Sequence, residues 1–124
     1  MTYLIDYKTV QPYITKDGSL IRELVHPSAI AGAKQSLAEA TIPPGGKTIL
    51  HQHRTCQEIY HITAGSGTML LGTEKMAIKQ DDTIYIPPLT PHRVTNTGSE
   101  ELKILCCCVP PYSHEDTTLL DEKE

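Results

Sequence analysis

Residues 45–65 read GGKTILHQHRTCQEIYHITAG, and the alternation within that stretch decides the fold. In a β-strand, residues two apart point to the same face. His51 and His53 therefore project together, with Cα atoms about 6.5 Å apart. Imidazoles at that spacing can converge on one ion, at bonds of about 2.0–2.2 Å. Arg54, Thr55, Cys56 and Gln57 form a polar link long enough for a bend, after which Glu58, Ile59, Tyr60, His61 and Ile62 alternate again. A return strand brings Glu58 back beside the two histidines. A second stretch, residues 81–96, adds His92 behind the proline-rich loop Pro87-Pro88-Leu89-Thr90-Pro91. Exposed strands often carry a His-x-His pair with no role. The downstream carboxylate, the bracketing glycines and the later histidine lift this one above that background. Imidazole and carboxylate donors together suit divalent iron, manganese, nickel, cobalt, copper or zinc. The expectation is one divalent transition metal ion per chain, held by His51, His53, Glu58 and His92.

These residues resemble the cupin family. Its first motif, G-x5-H-x-H-x4-E-x6-G, is met by Gly45, His51, His53, Glu58 and Gly65. Its second, G-x5-P-x-G-x2-H-x3-N, is met at Pro87, His92 and Asn96, whereas Asp81 and Leu89 stand where glycines are expected. The departures fall on turns and leave the four candidate ligands in place. The resemblance implies an all-β, double-stranded β-helix, the jelly-roll β-barrel. It also implies a small-molecule ligand and chemistry such as that of dioxygenases, sugar isomerases and epimerases, decarboxylases or lyases. Non-catalytic binders and sensors are the other class. Relatives of this kind are often homodimers.

The rest of the chain fits that frame. Its 124 residues suit one domain with a real core. Within it we expect an N-terminal arm over 1–18, the two motifs, and an acidic tail over 112–124 carrying a short helix or no fixed structure. Strands are expected over 19–25, 36–42, 68–71, 76–79, 83–86, 92–96 and 101–109, separated by glycine and proline turns. Residues 28–34 leave room for one helical turn. The formal charge of −4 offers no basic face to nucleic acid or anionic lipid. No apolar run approaches a membrane span and the opening residues do not read as a signal peptide, so the expected setting is the cytoplasm. The four cysteines include the run Cys106-Cys107-Cys108, which suits small buried residues in a reducing compartment better than a disulfide framework. Cys56 is expected to fill a turn.

Parity sorts the remaining candidates. Tyr60 and Ile62 share a face with Glu58 and are expected to line a substrate pocket, with the Tyr60 hydroxyl available to a ligand. His61 is odd against Glu58 and should face away. His26 and His114 carry no expected role. Three imidazoles and one carboxylate leave two positions open in six-coordination, enough to polarise a substrate oxygen, acidify a water or bind dioxygen. A second carboxylate or a lysine in the cavity would favour proton transfer; neither is evident from sequence, and a tyrosine-lined, mostly apolar cavity points instead to an oxygen-dependent enzyme or a small apolar substrate. The outward positions Ile59, His61, Leu105 and Val109, with Leu50 beside them, suggest a homodimer in which the arm or the outer sheet packs on its mate.

Overall fold

The structure is a computed structural model that describes residues 3–120. Its strands, in chain order, are β1 (Tyr13–Ile14), β2 (Leu20–Val25), β3 (Ser36–Ile42), β4 (His51–His53), β5 (Gln57–Ala64) and β6 (Ser66–Leu71). They continue with β7 (Glu74–Lys79), β8 (Thr83–Ile86), β9 (His92–Thr95), β10 (Leu102–Val109) and β11 (Thr117–Leu119). A six-stranded antiparallel sheet runs β1-β2-β3-β10-β5-β8, and a five-stranded one runs β11-β4-β9-β6-β7. The two form the jelly roll expected from the turn-rich strand pattern.

Period-two patterning builds the interior. Along β10, Leu102, Ile104, Cys106 and Cys108 are buried in alternation; along β5, Glu58, Tyr60 and Ile62 do the same. Register pairs Cys106 with Tyr60 and Ile104 with Ile62. Met69 of β6 and Val94 of β9 close the core from the second sheet. The core is apolar at one end and carries the histidines at the other.

The chain changes sheets between β5 and β6, and Gly65 makes that corner. Its φ is +84°, and a Cβ there would lie 2.5 Å from the Glu101 carbonyl oxygen. No other residue fits both demands. Asp81 and Leu89, which replace family glycines, nevertheless adopt the glycine backbone, with φ of 78° and 61°. Asn96 explains the end of the second motif. Its buried amide donates to the Ile42 and Glu100 carbonyls, 2.8 Å each, and accepts from Gly98 N–H at 2.9 Å.

Both chain ends depart from expectation. The arm does find a partner within its own sheet: Tyr13 and Ile14 pair with Ile21 and Leu20 of β2. The tail folds as a strand, β11, against β4, with Thr117 opposite His53 and Leu119 opposite His51. A three-residue strand wins there because it covers the open edge of β4. Residues 121–124 of the expected tail lie outside the described residues. Residues 28–34 form turns without a helix.

Candidate metal centre

β4 and β9 lie side by side, with His51 opposite His92, and β5 faces them from the other sheet. This brings together the residues singled out by sequence. His51, His53 and His92 are buried, and each offers a nitrogen within 4.8 Å of the others. Their ring centroids are 4.2–5.4 Å apart. Glu58 lies against two of them, its Oε1 3.1 Å from His53 Nε2 and 3.6 Å from His92 Nε2.

The hydrogen bonds behind the rings fix which nitrogen faces inward. His51 Nδ1 lies 2.7 Å from the Ile49 carbonyl and His92 Nδ1 2.9 Å from the Thr90 carbonyl. A carbonyl can only accept, so both Nδ1 atoms carry hydrogen. His53 Nδ1 meets Thr117 Oγ1 at 2.9 Å, and that hydroxyl spends its own hydrogen on the Ser113 carbonyl. His53 therefore donates from Nδ1 as well. In the neutral rings, the form a metal ligand needs, all three Nε2 atoms then present lone pairs to the centre. His92 Nε2 is buried with no hydrogen-bond partner. An orphaned acceptor of this kind costs stability unless something binds it. The donor set and the orphaned nitrogen fit a divalent cation.

Charge in the cluster is tightly disposed. Burial, then neighbouring His92, lowers His51 to about 4 despite Asp17, so it is neutral near pH 7. Burial works against the charged Glu58, but its contacts with His53, and then with His92, outweigh it and bring the carboxyl down to about 2. Burial likewise opposes a charged His53, yet Glu58 prevails and raises it. His53 Nε2 and Glu58 Oε1 stand 3.1 Å apart, a gap that either a shared proton or a cation bridges. The other Glu58 oxygen accepts from the Cys108 thiol at 3.4 Å. Contact with Cys56, then burial and the Glu58 charge, pushes the Cys108 pKa up, so it stays a thiol and orients Glu58.

Tyr60 lines a cavity that opens beside the histidines, and burial followed by the Glu58 charge drives its hydroxyl pKa well up. Ile62 is fully buried in the core and is not among the cavity's lining residues, so the pocket expectation narrows to Tyr60. His61 is half-buried, turned from the cluster, and bonded to Thr83 Oγ1 across β5 and β8. His26 ties the end of β2 to the tail by donating from Nε2 to the Tyr112 carbonyl at 2.8 Å.

Several residues at the site were not singled out from sequence. Asp17 Oδ2 lies 3.4 Å from His51 Nε2. Glu23, Tyr13 and Tyr112 also line the cavity. Asp116 accepts from the Thr55 and Cys56 N–H groups and so holds the bend between β4 and β5. Lys16 donates to the His114 and Thr117 carbonyls and fastens the arm to the tail. The Asp17-Gly18 pair is a turn signal, but such a pair says nothing about where the turn lands.

The cupin-domain family model matches residues 38–108, and the chain belongs to the cupin family. It is 60% identical over 116 residues to an uncharacterised protein, MJ1618, of Methanocaldococcus jannaschii, covering 94% of this chain and 93% of the other. Among solved structures, the polyketide cyclase RemF from Streptomyces resistomycificus superposes with a TM-score of 0.82 at 17% identity, covering 100% of this chain and 89% of that one. A predicted oxalate decarboxylase from Thermotoga maritima gives 0.76 at 23%, covering 86% and 98%. At such identities the structural likeness concerns the fold.

Proposed function

We propose that this cupin is a metal-dependent enzyme acting on an uncharged small molecule, with proton-transfer chemistry of the isomerase or lyase kind. The observation that carries it is the set of three buried Nε2 lone pairs converging beside a cavity lined by further carboxylates. His51, His53, His92 and Glu58 would hold one divalent transition metal ion. When bound, it would supply Lewis acidity to a substrate oxygen.

The chain's own residues favour one branch of the chemistry. Glu23 lines the cavity and lies against the Tyr13 hydroxyl, whose pKa is raised by burial and then by Glu23. Glu23 is thus placed to take a proton from a bound substrate, with Tyr13 beside it. Ile21, Ala40, Ile42, Val94 and Ile104 give the cavity an apolar wall that excludes water. No lysine or arginine is among the described residues that line it. A dianion such as oxalate would meet carboxylates with no cationic side chain to receive it. A neutral carbonyl or hydroxyl compound meets no such penalty.

The test is solvent deuterium incorporation. Metal-loaded protein in deuterated water should place deuterium into neutral carbonyl compounds, without oxygen, and Glu23→Gln should stop it while keeping the metal. Turnover confined to anionic compounds, or oxygen consumption without deuterium incorporation, would contradict the proposal.

For the assembly we propose a homodimer through the outer face of the six-stranded sheet. Ile59, Tyr85 and Val109 are exposed there, and Ile59 sits directly opposite Tyr85. No helix among the described residues is long and apolar enough to cross a membrane. Four free cysteines, three of them buried, suit the reducing cytoplasm, where we place the protein.

A further inference from the structure

The turn at the end of the N-terminal arm reaches the histidine cluster and is held there rigidly. Asp17 Oδ1 accepts from Thr15 Oγ1 at 2.8 Å, from Ser19 N–H at 3.0 Å and from Ser19 Oγ at 2.7 Å. The Asp17 carbonyl accepts from Ile49 N–H at 2.8 Å. Ile49 is also the residue whose carbonyl fixes the His51 tautomer. One short segment thus aims Asp17 and His51 at the same point.

What faces what is the decisive detail. Asp17 Oδ2 lies 3.4 Å from His51 Nε2, with side chains 14% and 3% exposed. The His51 hydrogen is on Nδ1, so a carboxylate oxygen and a nitrogen lone pair confront each other. Two acceptors so placed repel unless a cation lies against both. Neighbouring ligand atoms on one ion, each bonded at about 2.0–2.2 Å, stand about 3–3.5 Å apart. The Asp17–His51 separation matches that spacing, as does the 3.1 Å from Glu58 to His53, while the 3.6 Å from Glu58 to His92 lies just outside it.

We propose that Asp17 is a fifth protein ligand of the ion, supplied by the N-terminal turn. This rests on the metal reading of the cluster. Three neutral imidazoles and two carboxylates cancel the charge of a divalent ion. In six-coordination they leave a single position for an exchangeable molecule, where four ligands would leave two. A formally neutral centre has little pull on an anion, in keeping with a cavity that no described lysine or arginine lines.

The experiment uses Mn2+ alone as probe, with the full chain, Asp17→Asn and His53→Ala. Affinity is read by titration calorimetry, and exchangeable water on the bound ion by water-proton relaxation. Asn keeps a side-chain oxygen for Thr15 and Ser19 but turns an NH2 donor toward His51 Nε2, where it occupies the lone pair. The expected result is a single exchangeable water in the wild type. Asp17→Asn should bind at least about tenfold more weakly and show higher relaxivity per bound ion. Two exchangeable waters on the wild type would overturn the fifth ligand, and so would an Asp17→Asn protein with unchanged affinity and relaxivity. The wild-type water number decides the matter even if the variant fails to fold. No Mn2+ binding by the wild type would instead sink the metal reading itself, whereas loss in His53→Ala alone leaves that reading standing.

Discussion

The Thr117 hydroxyl accepts a 2.9 Å hydrogen bond from His53 Nδ1, a partner 64 residues earlier in the chain. The tail strand therefore belongs to the candidate metal centre, because it sets the tautomer of a candidate ligand. Replacing Thr117 with Val keeps shape and removes the acceptor. Metal affinity should fall by about 10- to 100-fold with the fold intact, as read by calorimetry and circular dichroism. Unchanged affinity would show that His53 needs no such support.

Acid should weaken the metal-free protein through His51. Its folded pKa is lowered to about 4 from 6.5. As pH falls, the unfolded chain takes up that proton first. The contribution is present above the unfolded value, lost between about 6.5 and about 4, and flat below. At about 1.36 kcal/mol per unit its upper bound is about 3 kcal/mol. His53, raised in the fold, acts with the opposite sign: its contribution is complete below the unfolded value and lost as pH rises through the folded one. Urea midpoints of wild type minus His51→Gln, both in chelator, should show the His51 slope. A flat difference would contradict it.

Leu89 is exposed and sits at φ 61°, in the left-handed region. That backbone costs a non-glycine residue about 1–2 kcal/mol, and a glycine gives back about 0.5–1 kcal/mol through its freer unfolded chain. Leu89→Gly should therefore stabilise by up to about 1.5 kcal/mol, seen as a higher melting temperature. Leu89→Val should destabilise, since branching at Cβ worsens the clash. A glycine variant that melts lower would mean Leu89 makes a contact that outweighs its backbone.

How much of this was legible in the sequence follows from how far each signal reaches. The motif residues declare themselves by local spacing, and parity sorted Tyr60 and His61 onto opposite faces. Strand limits such as Ser36–Ile42 and Thr83–Ile86 follow from turn residues at either side. Asp17 and Thr117 were not legible as site residues. They reach the cluster through pairing of the two chain ends, with Lys16 of the arm bonded to the Thr117 carbonyl 101 residues away. Nothing local encodes a contact of that span. Asp81 and Leu89 illustrate a subtler limit, since the chain keeps the turn geometry of the missing glycines and bears the strain.

The outer face gives a prediction for assembly. Ile59 and Tyr85 are both exposed and face each other across β5 and β8. Light scattering at micromolar concentration should give a dimer, and Ile59→Lys with Tyr85→Lys should give a monomer. A monomeric wild type would remove the proposal. Because β1 pairs within its own sheet, deleting residues 1–10 should leave the dimer in place.

Metal content per chain decides whether the three histidines hold an ion, measured on protein purified without added metal and then loaded with a single divalent ion. The wild type and His61→Ala should each hold about one ion per chain, and His51→Ala, His53→Ala and His92→Ala next to none. Chelation should also lower the wild-type melting temperature, since an ion at a hundredfold excess over its dissociation constant stabilises the fold by about 2.7 kcal/mol. Full occupancy in the His53→Ala protein, or loss of the ion from His61→Ala, would contradict the assignment of these ligands.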